Sequence, residues 1–435
     1  MKLLWTLILL GLTSAAPTKQ IIQSTIGATE PGLFVVNVTI GTPKQQFIVQ
    51  LSIQNNGLYI QDKSCSNYCN HTFDSSKSST YRFVSQNTSG DYNYTIGQDI
   101  VNLGLSPNLL PIPNTIFEQD TISYYADGVL GLGLGNTGGL GLIGNNLPIL
   151  VNAYNQGVVD QPIYTIYVRK NIQNGDAGVI TYGGVDSTNC GSMIAYQPLA
   201  NYENYIIEFS DISYGSYANS STYTTIVDST YDGISGPASV IDSMAKVVGA
   251  TPNQIYYYQV DCDKKLPSFT FMIGGKQYTI DSNHQIGAKN TKFPLTNMCE
   301  WKFFRYSEDG LWMFGGPFAK SYCNIYDPGN KRVGFALPKD SFSTISTTHG
   351  TQGVDQNTVT HGTHGVDQNT VTHRTQGVDQ NTVTHRTQGV DQNTVTYGTH
   401  GVDQNTVTPS TQGADQTSRN SIVLLSILFI FLNFI

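Results

Sequence analysis

Two segments built to one plan, 47–60 and 225–237, constrain this chain more than any other feature. Each opens with a short run of apolar, β-type residues, Phe47 to Leu51 in the first and Thr225 to Val227 in the second. Each run ends in a small polar residue, Ser52 or Asp228, and passes at once into a turn. β-branched and aromatic residues fit a pleated, packed surface, and a cluster of Asn, Asp, Ser and Gly after them marks the reversal. Meeting this unit once would predict a hairpin or a corner. Meeting it twice, far apart, predicts two related lobes with a boundary near residue 200.

The rest of 33–340 has the same texture. Short β-type runs such as 34–40, 163–168 and 269–273 alternate with Gly, Asn, Asp and Pro, the pattern of an all-β fold. Helices are few, and apolar spacing favours only 147–155 and 238–248. Charged residues make up 12% of the chain, about half the usual share, so solubility leans on uncharged polar groups. The net charge of −8, with no basic run, argues against nucleic acid or an anionic lipid surface as partner.

The two ends carry address signals. Lys2, the apolar stretch 3–12 and the small residues 13–16 read as a secretory signal peptide, 1–16, too short to span a bilayer. Asn-x-Ser/Thr acceptors begin at Asn37, Asn70, Asn87, Asn93 and Asn219, so an exported chain would carry glycan on several of them. Six cysteines in such a chain are expected as disulfides; Cys65 and Cys69 lie close enough for a local loop, and spacing alone does not choose among the other pairings. No histidine stands at ligand spacing to them, so zinc is not expected, nor any other metal or cofactor.

From Thr351 a polar unit ending Gly-Val-Asp-Gln-Asn-Thr-Val-Thr recurs with a period of about 12 residues and decays near Gly413. One small apolar residue at each end of a polar core buries too little surface to offset ordering, so 345–413 is expected to be a disordered, Thr-rich stalk. Segment 414–435 is a polar spacer followed by an apolar end with no charge after it, the pattern of a glycosylphosphatidylinositol (GPI) anchor signal. As a helix its apolar part would rise only about 22 Å against a hydrocarbon core of roughly 30 Å. The expected location is therefore the outer cell surface on a lipid anchor, the alternatives being a secreted or a tail-anchored protein.

Together with Gly41-Thr42-Pro43, the run from Asp127 to Leu132 and the run from Leu311 to Gly315, the paired segments resemble the pepsin-like aspartic peptidases. The resemblance implies a bilobal pepsin-like acid-protease fold with a few short helices over 33–340, the N-lobe about 33–200 and the C-lobe about 201–340. It also implies the pairings Cys262–Cys299 and, as in some branches of the family, Cys190–Cys323. Members of the family carry Asp-Thr-Gly once per lobe. Here the second Asp is retained as Asp228, and the first position holds Ser52.

That exchange removes half of the chemistry. In this family two carboxylates share one proton, one drawing a proton from water while the other donates to the amide carbonyl. An alcohol is too weak an acid for either role, although the Ser52 hydroxyl can donate a hydrogen bond to Asp228. Ile53 and Ser229 stand at the family's Thr positions, and Gln54 and Thr230 replace the glycines. The hairpin over the cleft, 85–94, is shorter than the family's, and only Tyr92 or Tyr94 can stand in for its tyrosine. Residues 17–32 are too few for the family's basic prosegment. Asp62 and Asp232 are the nearest candidates for a replacement carboxylate, and both read as turn or solvated residues. Asp127 reads as structural. A serine nucleophile triad is not expected, since within 33–340 the histidines are His71 and His284 alone and no nucleophile elbow surrounds Ser52.

The sequence thus predicts a catalytically silent homologue, a monomer, that binds an extended peptide or protein segment along Ser52, Asn55, Gly57, Asp228, Thr230 and Tyr231. An active acid endopeptidase and a glycosylated surface protein with no cleft ligand are the alternatives.

Overall fold

The computed structural model describes residues 21–339, apart from 31–32, 66–68, 70, 88–92, 123–125, 136–146, 174, 203, 253–256, 290–296 and 307–309. The signal peptide, the repeat stalk, the apolar end, Asn70 and Tyr92 lie outside the described residues.

The described chain is dominated by β-strands, arranged in sheets of 13, 8 and 4 strands. The largest begins at Cys190–Pro198 and runs through Arg332–Pro338, Cys323–Asp327, Tyr164–Gln173, Asp176–Tyr182 and Ile22–Glu30 before entering the N-lobe. Residues from both ends of the described segment therefore share its centre. Ile22–Glu30 pairs with Asp176–Tyr182 on one side and with Leu33–Ile40 on the other. The fold accordingly starts before residue 33. The alternation in Ile22–Glu30 is weak as a sequence signal, because Gly27 and Ala28 interrupt it where the register shifts.

Strand register shows that the two predicted segments are structural counterparts. In the N-lobe Gln45–Ser52 runs parallel to Gly128–Leu132, with Ser52 opposite Gly131. Asn56–Gln61 then returns antiparallel to the same strand, with Leu58 opposite Leu130, and lies parallel to Asn108–Asp120, with Leu58 opposite Phe117. In the C-lobe Tyr223–Val227 runs parallel to Leu311–Phe314, and Val227 faces Phe314. Ile234–Pro237 returns antiparallel with Ile234 opposite Phe314, and parallel to Phe303–Tyr306 with Ile234 opposite Phe303. Counting from either set of pairs, Ser52 corresponds to Asp228, Gln54 to Thr230, Asn56 to Asp232 and Leu58 to Ile234.

The helices obey the apolar spacing. Ala238–Val248 buries Val240, Ile241, Met244, Ala245 and Val248 on one stripe and ends at Gly249 in the left-handed region (φ 58°), a conformation that costs glycine least. Ile149–Asn155 is the other predicted helix. Gly316–Ser321 was not legible, since six residues are too few to show a period. The largest apolar cluster reaches through both lobes, with Trp301, Trp312, Phe269 and Phe314 among its fully buried rings.

All six cysteines are paired, as Cys65–Cys69, Cys190–Cys323 and Cys262–Cys299. Cys190–Cys323 joins strands on either side of Arg332–Pro338 and sits in a buried cluster with Ile163, Tyr167, Ile325 and Ala336. It closes a loop of 133 residues, so its loss frees much unfolded-state entropy. Replacing both cysteines by serine is expected to lower the unfolding free energy by about 2–5 kcal/mol, measured by denaturant titration. An unchanged midpoint would mean that the central sheet holds without the bond.

Candidate functional site

The site is the place where the two strand-turn-strand units meet. Ser52 ends its strand and is buried; its Oγ accepts from Asn55 N–H at 3.2 Å and from Asn55 Nδ2 at 3.0 Å. Asp228 follows Tyr223–Val227 and is 1% exposed. Its backbone N–H donates to Phe314 O at 3.0 Å, which fixes the carboxylate at the crossing of the strands.

Three donors converge on that carboxylate. Oδ1 accepts from Thr230 N–H at 2.9 Å and from Thr230 Oγ1 at 2.6 Å. Oδ2 accepts from Gln54 Nε2 at 2.9 Å, and the same nitrogen lies 3.7 Å from Met313 Sδ. A buried carboxylate without donors would be costly, and an ionised one accepts all three. The expected Ser52–Asp228 bond is therefore not the one that forms. Ser52 is held within its own turn by Asn55, and Gln54, with its longer side chain, reaches across instead.

Below the carboxylate the two lobes are tied by tyrosines. Ser229 N–H donates to Tyr326 OH at 3.2 Å, the Ser229 and Tyr326 hydroxyls are 2.8 Å apart, and Tyr326 OH donates to Val227 O at 3.2 Å. Asn324 Nδ2 donates to Ser229 Oγ at 2.8 Å. Tyr326 stacks on Tyr164 with centroids 4.7 Å apart, and Tyr164 OH donates to Leu132 O at 2.9 Å in the opposite lobe. Tyr205 completes the cluster edge-on against Tyr326. Burial raises all three phenols well above the usual tyrosine pKa, so they stay protonated and able to donate. Ile53, at the matching N-lobe position, is buried and carries no hydroxyl, so the polar tie is one-sided.

The carboxylates considered as replacements are engaged elsewhere. Asp232 Oδ2 is 2.6 Å from Lys302 Nζ, which also holds Glu300 Oε2 at 2.6 Å. Burial pushes the Lys302 ammonium down, and its two carboxylate neighbours outweigh that and hold it above the usual lysine value. Asp62 Oδ1 accepts from Ser64 N–H at 2.8 Å in an exposed turn. Asp127 Oδ2 accepts from Ile48 N–H at 2.8 Å and lies 3.1 Å from His71 Nδ1, a structural role. His284 is buried beside Ser321 Oγ at 2.8 Å. Neither histidine is bonded to Ser52.

The predicted cleft residues fall into two groups. Asn55, Thr230 and Tyr231 are partly exposed around Ser52 and Asp228 and form the floor together with Gln54, which was not among those predicted. Gly57 is buried under a small pocket of about 60 Å³ that also takes in Leu58, Asn114, Ile116, Leu147 and Ile149. Tyr231 packs edge-on against Phe304, and burial raises its phenol pKa. The covering hairpin pairs Arg82–Asn87 with Tyr94–Leu105, Asn87 standing opposite Tyr94. Tyr94 is buried with Tyr59, Ile96 and Val129, so its ring belongs to a small core. Among the acceptor asparagines, Asn93 is exposed, while Asn37, Asn87 and Asn219 are half-buried. Asn219 Nδ2 already donates to Tyr217 OH at 3.3 Å.

Sequence reasoning named Gln54 only as a replacement for a glycine, and it missed Lys302 and Tyr326. A long amide at a turn position that otherwise demands glycine was the available clue to the first. Nothing local marks the other two, because their partners are 70 and 97 residues away.

Comparison with known proteins agrees with this architecture. Residues 33–338 match the family described as eukaryotic aspartyl protease. Aspartic protease 6 of Caenorhabditis elegans is 36% identical over 326 residues, covering 70% of this chain and 81% of that protein. Pepsin A of Suncus murinus is 30% identical over 319 residues, covering 69% and 79%.

The tyrosine tie makes a direct prediction. Tyr326→Phe keeps the ring stack and leaves the buried Ser229 N–H without its acceptor, which costs about 1–3 kcal/mol. Thermal unfolding of Tyr326→Phe should show that loss. A melting temperature equal to wild type would mean that the hydroxyl contributes nothing to joining the lobes.

Proposed function

This chain belongs to the eukaryotic aspartyl protease family, and we propose that it is a member that binds an extended peptide or protein segment in its cleft without cutting it. The observation that carries this reading is the register equivalence of Ser52 and Asp228. Splitting an amide by this route takes two carboxylic groups at the crossing, and the two carboxylates weighed as replacements, Asp232 and Asp62, are tied to Lys302 and to turn backbone. What the fold retains is a floor of polar side chains between two lobes and a small pocket of mixed lining beside Gly57, features suited to an extended segment with side chains on alternate faces.

The setting proposed for this activity is the outer cell surface. Three disulfides favour an oxidising compartment, and the leader-like start, the sequons, the Thr-rich repeats and the apolar end support an exported glycoprotein on a stalk with a GPI anchor. Phosphatidylinositol-specific phospholipase is expected to release it from cells. Retention after that treatment would replace the anchor by a membrane helix.

Purified glycosylated protein is expected to show no turnover of an unfolded protein substrate from pH 2 to 7, and Ser52→Asp alone is expected to leave turnover at background. Acid-dependent cleavage by the wild type, abolished by Asp228→Ala, would establish an active endopeptidase instead. In a peptide-library capture, Thr230→Trp should weaken retention by at least about tenfold, roughly 1.4 kcal/mol. Absence of any captured peptide would leave a surface protein whose cleft has no ligand.

A further inference from the structure

Gln54 does more than add bulk. Its turn is braced on both sides: Gly133 N–H donates to Asn55 O at 2.7 Å, and Asn55 N–H donates to Ser52 Oγ. From that fixed backbone the side chain crosses between lobes and places Nε2 on Asp228 Oδ2, 174 residues away. The counterpart residue, Thr230, has too short a side chain to cross and is spent on Oδ1 of its own lobe's carboxylate. Both oxygens of Asp228 thus carry protein donors. Gln54 Nε2 occupies one of the lone pairs of Oδ2, in competition with any other donor that would approach that oxygen.

We propose that the Gln54 carboxamide is a built-in ligand of Asp228, a positioning residue that takes the oxygen a second acid and a water would otherwise share and closes the cleft floor across the two lobes. Losing one carboxylate then has a partner change in the same turn. Ser52 removes the acid, and Gln54 satisfies the one that remains. Among the described residues Gln54 Oε1 has no hydrogen-bond partner, and the side chain is partly exposed, so the same amide offers one acceptor to the N–H of a segment lying above it. That last role rests on the peptide-binding reading. The contact with Asp228 does not.

Carboxyl modification separates the two. Full-length protein is treated with a water-soluble carbodiimide and ethanolamine, and amide formation at Asp228 is followed by peptide mass mapping against Asp186 and Asp327. Both reference residues are fully buried, each held by its own donors away from Gln54. Gln54→Ala removes the amide, and Gln54→Asn keeps it one methylene too short. In both variants Asp228 should be modified at least about tenfold faster, relative to the two references, than in wild type, the change expected when a hydrogen bond to a charged group is lost. An unchanged ratio overturns the proposal. So does a matching rise at Asp186 and Asp327, which would mark general loosening. Either result can occur whether or not the protein binds or cleaves peptides, so this proposal can fail while the functional reading stands.

Discussion

Backbone lies on backbone at two equivalent points, one beneath each turn of the site, and the arrangement of the site follows from that. A Cβ on Gly131 would stand 2.5 Å from Asn55 O, and one on Gly315 would stand 2.3 Å from Tyr231 O. Neither neighbour can give way, because both are main-chain atoms within braced turns. The two glycines face Ser52 and Asp228 in equivalent registers, and Asn55 and Tyr231 are themselves equivalent. Each lobe therefore threads a turn over a glycine and delivers residue 52 or 228 to the same central place. The scaffold specifies position by steric exclusion and does not depend on the side chain it delivers, so a carboxylate can become a hydroxyl with the crossing intact.

Side-chain chemistry at the crossing still has to balance. A carboxylate at 1% exposure needs donors, and in a symmetric floor part of that demand would be met by a neighbouring acid that shares a proton. With Ser52 turned into its own loop by Asn55, that partner is gone. Gln54 meets the demand from the other lobe, at the turn position equivalent to Thr230. The crossing amide and the lone carboxylate form one pair, while the Ser52 hydroxyl is satisfied separately by Asn55 within its own turn.

How much of this was legible in the chain depends on range. The runs at 34–40 and 269–273, the helix at 238–248 and the paired segments were readable because alternation, helical period and turn residues act over a few positions. The small helix at 316 and the strand from Ile22 were not, the first being too short for a period and the second being broken by Gly27. Disulfide pairing needed the family resemblance, since spacing is silent about a loop of 133 residues. At the site the identities of Ser52 and Asp228 were plain, while the partner of each was not. Asn55 against Ser52 is a matter of turn geometry, and Gln54 against Asp228 depends on how two distant turns face each other.

The tyrosine cluster shows how the lobes keep that mutual orientation when only the C-lobe turn, through Ser229, offers a hydroxyl at this position. Ile53 offers no hydrogen bond, so the N-lobe turn is held from below by packing and by Leu132 O, the acceptor of Tyr164. The C-lobe turn hangs on Tyr326 through Ser229 and Val227. Between the two acceptor sites lies a stacked pair of rings whose planes differ by 12°, on strands Tyr164–Gln173 and Cys323–Asp327 that are paired in the central sheet. Phenols suit this position because each buries a large apolar face and still brings one polar atom to a main-chain group. A displacement of either turn would break a buried hydrogen bond and slide a packed ring at once. The 2.9 Å reach of Gln54 to Asp228 therefore depends on these rings as much as on the turn that carries it.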